Sequence, residues 1–236
     1  CDFDGSNDQM RTGNTGIDPT TTNAYTIACW VNYDAFTSAS GPWSLMTKYN
    51  VDGTNNPSFF SHSPSYVRTN SASSTEFYHN GASSTKIVTL TTTLSTGVWY
   101  HFLQCWDGST MKVYFNGSLV GSQSVSDVKT HSPYNLFVGL GRGGLGSRLN
   151  GQIDEVSFWT SDQSSNIASI YGDGSGAPDL EDLSPIGWWR MGDTGTDADA
   201  GVGASVSTIT DAGSGGNNLV QSTASAQPLL SSSVPS

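Results

Sequence analysis

The chain has 236 residues, enough to bury a core without disulfide or metal staples, and a formal net charge of −11. Such a field repels phosphate backbones and anionic membrane surfaces, and the 5 Arg and 4 Lys are scattered, so nucleic acid is not expected as a partner. Only 3 Glu accompany abundant Ser, Thr, Gly and Asn, which excludes a helix-rich α/β protein and favours an all-β one.

Residues 1–8 read as a short strand end running into a Gly-Ser-Asn turn, followed by a polar loop. Residues 24–33 carry apolar side chains at both parities, as expected of a strand covered above and below. A strand over 43–49 is followed by a loop over 51–64, marked by Asp52-Gly53, Asn55-Asn56-Pro57 and Ser63-Pro64. Residues 66–68, 76–79 and 86–90 suggest three short strands at the spacing of a β-sandwich.

Residues 99–121 anchor the fold. Two runs rich in aromatic and β-branched residues are separated by Asp107-Gly108, and a third follows Asn116-Gly117, a pair suited to a type I′ turn. This predicts an antiparallel meander with Phe115 opposite Ser118 and Val113 opposite Val120. Residues 135–138 and 151–159 form the last two strands, and 161–171 one helix, with Ser161 or Asp162 as N-cap and Gly172 as stop. Division of the chain falls at 1–177 for the β domain and 178–236 for a Gly/Ser-rich extension that cannot bury much core alone.

Gly139-x-Gly141-x-x-Gly144 formally matches a dinucleotide fingerprint, but a strand follows it where the pyrophosphate needs a helix N-terminus. Cys29 and Cys105 lie in two predicted strands and are read either as a bridge or as small core hydrophobes. The histidines His62, His79, His101 and His131 fall in separate segments without chelating spacing, and no serine has nucleophile-elbow context. Glu76 and Glu155 read as solvent-facing or turn-pairing, and Trp30, Trp99, Trp106 and Trp159 as core. No window reaches the ~18 apolar residues of a membrane span, so membrane insertion is not expected, and Cys1 reads as a cut within a longer chain.

The order of motifs carries a resemblance. Phe3-Asp4-Gly5, Tyr25-Thr26-Ile27-Ala28-Cys29-Trp30-Val31, Trp106-Asp107-Gly108, Asn116-Gly117 and Asn150-Gly151-Gln152-Ile153-Asp154-Glu155-Val156, then a helix ending at Ile170-Tyr171, resemble laminin-G-like/pentraxin-like domains of the concanavalin A-like superfamily. The resemblance implies a jelly-roll sandwich of two antiparallel sheets serving adhesion or glycan recognition. Trp188-Trp189-Arg190-Met191-Gly192-Asp193, with residues 209–218, resembles the segment that opens many such modules before their Phe-Asp-Gly motif. The extension is therefore either a permuted strand completing this sandwich or the start of a second module. Modules with this ending resemble those of predicted marine phage virion proteins.

The acidic ligand loop of pentraxins would align with residues 139–147, which hold no carboxylate, and the pentraxin disulfide would align with Ala28 and Leu103 rather than Cys29 and Cys105. No counterpart of the superfamily's Glu-x-Asp-x-x-Glu glucanase motif occurs. The resemblance implies one structural Ca2+ held by Asp154 with Asp2 or Asp4, the alternative being that Asp154 bonds backbone amides.

Sugar binding needs rings for stacking and polar groups for directed hydrogen bonds, and Trp43, Tyr66, Tyr78, His79, Arg142 and Arg148 are candidates in or beside loops. The expected function is a non-catalytic carbohydrate-binding or adhesion module on an extracellular or virion surface. A structural or decoration subunit contacting neighbouring proteins, with homo-oligomers open, is the alternative, and a glycan-active enzyme ranks last.

Overall fold

The computed structural model describes residues 1–13, 24–36, 43–48, 65–80, 85–126, 135–139, 148–172, 178–192 and 202–231, with positions 43, 44, 47, 48, 65–68, 70 and 80 described through their backbone alone. Its strands are β1 (Asp2–Asp4), β2 (Met10–Thr12), β3 (Tyr25–Tyr33), β4 (Trp43–Lys48), β5 (Ser65–Ser71), β6 (Ser74–Asn80), β7 (Thr85–Leu90), β8 (Trp99–Trp106), β9 (Thr110–Phe115) and β10 (Ser118–Ser124). β11 (Leu136–Val138), β12 (Asn150–Trp159), α1 (Ile167–Tyr171), β13 (Gly187–Trp189), β14 (Thr208–Ile209) and β15 (Leu219–Val220) follow. They form a sandwich of two antiparallel sheets, one ordered β1-β12-β3-β8-β9-β10 with β13 also on β12, the other β14-β15-β2-β11-β4-β5-β6-β7. This is the expected all-β jelly-roll architecture with one short helix. No helix among the described residues is long and apolar enough to cross a membrane.

β3 shows why its sequence lacks simple alternation. Tyr25, Ile27, Cys29, Val31 and Tyr33 enter the inter-sheet core, while Ala28 faces a second cluster with Leu103, Cys105, Trp159, Ile167, Ile170, Leu180 and Trp188. Both faces are covered, so every residue of the strand is buried. The same parity rule separates Cys29 from Cys105, and all three cysteines are free. Burial pushes the Cys29 and Cys105 thiols well above their ordinary range.

In the meander, Asn116 (φ 46°) and Gly117 (φ 74°) both take the positive φ of a tight turn, and Phe115 pairs with Ser118 as expected. Val113, however, pairs with Gly121 rather than Val120, because the register slips between Leu119 and Gly121. The slip brings Gly121 to the crossing of β10 and β7, where a Cβ would lie 2.6 Å from Val88. Only a residue without a side chain fits that crossing. The expected polar loop after residue 8 contains β2, which pairs with β11 and β15. α1 is shorter than predicted: Asp162 accepts from the Ser164 amide (3.0 Å) instead of capping, the N-cap is Asn166 without a side-chain cap, and Gly172 ends the helix in the left-handed conformation.

Residues after 177 add strands to both sheets. β13 pairs with β12 and β15 with β2, and Trp188, Trp189, Met191, Val206, Ile209, Leu219 and Leu230 are buried. β1 and β13 share one edge of β12, β1 at Asn150, Gly151 and Gln152, β13 at Val156, Ser157 and Phe158. Their directions agree, so they form one interrupted strand in which the Met191 carbonyl lies 3.2 Å from the Cys1 nitrogen. Replacing Trp189 by Ala should cost about 3–5 kcal/mol in urea unfolding, and a chain ending at Pro178 should lose cooperative melting. A truncated chain melting like the full one would mean that the extension is not integral to the sandwich.

Candidate functional site

β12 is bent by an irregularity between Asp154 and Ser157, and Glu155 within it holds φ 46°, an unfavourable value for a side chain of its size. The conformation directs the Glu155 carboxylate into the gap between β1 and β13. There Oε2 accepts from Trp188 Nε1 at 2.5 Å and Oε1 from Arg190 Nε at 3.1 Å, while the Arg190 guanidinium lies 5.2 Å from the Trp188 ring centroid. Glu155 is therefore buried and paired, not solvent-facing, because the bulge turns it away from the strand's own faces.

In β6, Phe77 and His79 point between the sheets and Tyr78 to the opposite face. The Tyr78 hydroxyl donates to Glu76 Oε2 at 2.7 Å, and Tyr66 is the Cα partner of Tyr78. Glu76, read from sequence as solvent-facing or turn-pairing, thus has a ring neighbour. Tyr78 and His79 lie in a strand, not a loop, and both are buried. His79 Nδ1 meets the Tyr25 hydroxyl at 2.8 Å, Gln104 Nε2 donates to that hydroxyl, and the His79 and Trp106 rings are 5.0 Å apart. This histidine belongs to an interior network.

The remaining candidates are dispersed. Trp43 pairs through its backbone with Thr69, a buried residue. Arg148 Nη1 donates to the Asn7 carbonyl at 3.0 Å, tying down the N-terminal turn. Arg142 lies outside the described residues. The four tryptophans read as core are buried at Trp30, Trp106 and Trp159 and half-buried at Trp99.

Of the residues the resemblance implies for calcium, Asp2 is opposite Gln152, two residues along β12 from Asp154. Asp4 is opposite Asn150, four residues along β12 from Asp154, or roughly 13 Å at strand rise. Asp154 Oδ1 accepts the Glu155 amide at 2.8 Å, and Asp4 Oδ1 accepts those of Ser6 and Asn7 at 2.7 and 3.2 Å. No group of three or more His, Cys, Asp or Glu side chains suited to a metal occurs among the described residues.

Sequence reasoning weighed His101 only as a metal ligand and did not single out Asn32, Asp34 or Gln152. Asp2, Gln152 and Asn32 are successive register partners across β1, β12 and β3, so they share a face. Gln152 Nε2 donates to Asp2 Oδ1 at 3.2 Å and to both Asp34 oxygens at 3.3 and 3.2 Å. Burial, then the charge of Asp2, raises the Asp34 carboxyl above its ordinary range, against the hydrogen bond from Gln152. One pair further along β3, Trp30, His101 and Tyr171 stack together with centroids 5.1–5.5 Å apart, and burial lowers His101 to about 3. The signal for these residues was the register, which periodicity alone does not supply.

A family model described as the concanavalin A-like lectin/glucanases superfamily matches residues 4–166. The chain belongs to that superfamily. None of the curated proteins compared matches it. Among solved structures, a protein from Bacteroides ovatus ATCC 8483, provisionally named as carbohydrate-binding, superposes with a TM-score of 0.64 at 14% identity, covering 96% of this chain and 58% of its own. This chain thus spans little more than half of that protein. The heptameric SAP-like pentraxin of Limulus polyphemus gives 0.51 at 17% identity, covering 72% and 80%. Domain 4 of a GH43 extracellular arabinanase from Geobacillus stearothermophilus, solved with arabinotriose, gives 0.51 at 19%, covering 72% and 75%. At these identities the likeness concerns the superfamily fold.

Two outcomes test how this superfamily sandwich is held. Glu155→Ala strands the Trp188 indole and the Arg190 guanidinium and should cost about 3 kcal/mol in urea unfolding, with Glu155→Gln costing less because an acceptor remains. For His101, the unfolded imidazole takes its proton near pH ~6.5, whereas the folded one waits until about 3. Its share of stability is complete above the higher value and is lost as pH falls between the two. Between pH 7 and 4.5 it should weaken the fold by about 2–3 kcal/mol; His101→Phe should flatten the profile, measured by urea unfolding across that range.

Proposed function

We propose that the chain is a non-catalytic carbohydrate-binding module, displayed on an extracellular or virion surface, that recognises surface polysaccharide through the outward face of the eight-stranded sheet. One observation carries this reading: on the sheet face opposite Phe77 and His79, the buried Tyr78 holds the half-buried Glu76 carboxylate by a hydrogen bond, and Tyr66 is in register with Tyr78. The carboxylate fixed by that hydrogen bond offers the directed hydrogen bonding that a saccharide requires, and Tyr66 is the candidate for the stacking ring. Trp43, at the start of β4, Arg142 and Arg148 are the further candidates for that ligand. Membership of a lectin/glucanases superfamily, and the carbohydrate-related names of two similar structures, support the same class.

An enzyme is the weaker reading. Asp2 and Asp34 reach one amide nitrogen and so invite comparison with glycosidase acid pairs, ~5–9.5 Å apart. Gln152 fills the space between them in which a scissile bond would lie. A structural subunit is favoured by one feature, the edge strand β10, which carries no charge or proline and exposes Leu119 and Val120.

A glycan array probed with the full chain tests the proposal, with Tyr66→Ala, Trp43→Ala and Glu76→Gln proteins alongside. Selective binding, reduced at least tenfold by Tyr66→Ala with the melting temperature unchanged, is the expected result. A blank array from folded protein would overturn it and leave the structural subunit.

A further inference from the structure

The two rims of the sandwich are finished differently. On one, the chain covers its own edges. Leu229 bridges to Asp2 of β1 and to Ser205, the Asp2 and Leu229 amides and carbonyls pairing at 2.8 and 3.0 Å, and β15 and β14 continue the eight-stranded sheet beyond β2. On the other, the seven-stranded sheet stops at β10 and the eight-stranded sheet at β7, and among the described residues no strand pairs with the outer side of either. The two last strands meet where Gly121 passes Val88, so both edges lie along one side of the molecule.

Open edges are usually blunted by charge, proline or brevity. β10 is seven residues long, carries no charge or proline, and is exposed at every position but Gly121, with Leu119 at 57% and Val120 at 40%. Beyond the irregularity at its start, Gly121 to Ser124 pair regularly with β9, so the far side of that stretch offers amides and carbonyls at ladder spacing. β7 adds the exposed Ile87, next to the Val88 that Gly121 touches. Charge also sets this rim apart. A formal net charge of −11 keeps copies of the chain away from one another, yet β7, β9 and β10 hold no carboxylate.

We propose that this rim is a self-association surface, at which a second copy of the chain adds antiparallel, β10 to β10 about a twofold axis. Two features select a second copy as the occupant. An identical strand run antiparallel matches donors to acceptors along its whole length and closes at two copies, leaving no open end. A chain this acidic also admits its twin only where carboxylates do not oppose one another, which is the condition the rim meets. Leu119 and Val120 are the apolar groups that the pairing shelters. Seven residues give a seam of about 23 Å at strand rise. That is a small contact beside the ~800 Å2 per partner of a standard stable interface, so the dimer is weak and concentration-dependent. Where copies are crowded, the pair would carry two glycan-facing sheets and gain by avidity, but the seam itself does not rest on the glycan reading.

The test is sedimentation velocity of the full chain from about 5 µM to about 500 µM, the range in which a weak dimer dissociates, with hydrogen exchange of the β10 amides read at both ends. The expected result is monomer at the dilute end, dimer at the concentrated end, and exchange of residues 119–124 slowed at least fivefold in the dimer. Val120→Lys and Gln123→Lys each set like charges against each other across the seam. Both positions are exposed, so the dilute variants should melt like the wild type while the dissociation constant rises at least tenfold. Val202→Lys, at an exposed position of the extension, should leave association unchanged. A chain that stays monomeric throughout would overturn the pairing and leave the edge to a strand of another protein. A dimer that persists undiminished in both β10 variants, or forms without slowing exchange there, would overturn it as well. No glycan enters the experiment, so its outcome is independent of the array.

Discussion

A single buried carboxylate decides how the seven-stranded sheet ends. Glu155 pays a conformational cost at positive φ, and in that position it accepts from both Trp188 and Arg190. The bulge lies between the stretch of β12 that pairs with β1 and the stretch that pairs with β13. With it, β12 accommodates two partners in line, β1 from the start of the chain and β13 from the extension. The charge is tolerable because every part of it is met: one oxygen by an indole, the other by a guanidinium that also lies against the indole ring. Stability of the edge and placement of Trp188 and Trp189 in the two cores follow from that pairing.

The second constraint is close backbone approach. Gly215 would drive a Cβ to 2.1 Å from the Ile186 carbonyl oxygen, and Gly213 to 2.8 Å from that of Pro185. Between them the Asp211 carboxylate accepts the amides of Trp188, Gly213 and Asn217 at 2.7–2.8 Å. The Gly-rich composition of the extension, which reads as weak core-forming material, is what allows it to lie flat against β13. Low hydrophobicity there marks tight packing of backbone on backbone.

Most of the main sandwich was legible in the sequence because its signals are local. The Asn116-Gly117 turn, the doubly covered strand β3 and the left-handed stop at Gly172 each depend on a few adjacent residues. What was not legible depends on pairs remote in sequence. Val120 is displaced by a crossing with Val88 that no local pattern encodes, and β2 is too short to show alternation. Glu155 gains its partners 33 and 35 residues away. The candidate ligand residues divide on the same line: Tyr66 and Tyr78 are brought into register by β5 and β6, whereas His79, one residue on, is turned into the core by the strand's period of two. Asn32, Asp34 and Gln152 look unremarkable in sequence and become notable only when three strands lie side by side.

The extension reaches both layers of the sandwich, with β13 on one sheet and β15 between β14 and β2 on the other. Its middle is fixed as well, the Ala212 amide donating to the Trp188 carbonyl at 2.7 Å and the Ser214 amide to that of Pro185 at 2.9 Å. The two layers are consequently stitched by one continuous length of backbone as well as by their shared core. Tension on that length would be divided between two hydrogen-bonded seams on opposite sides of the molecule, so the layers resist sliding apart even though each seam is only two or three residues long.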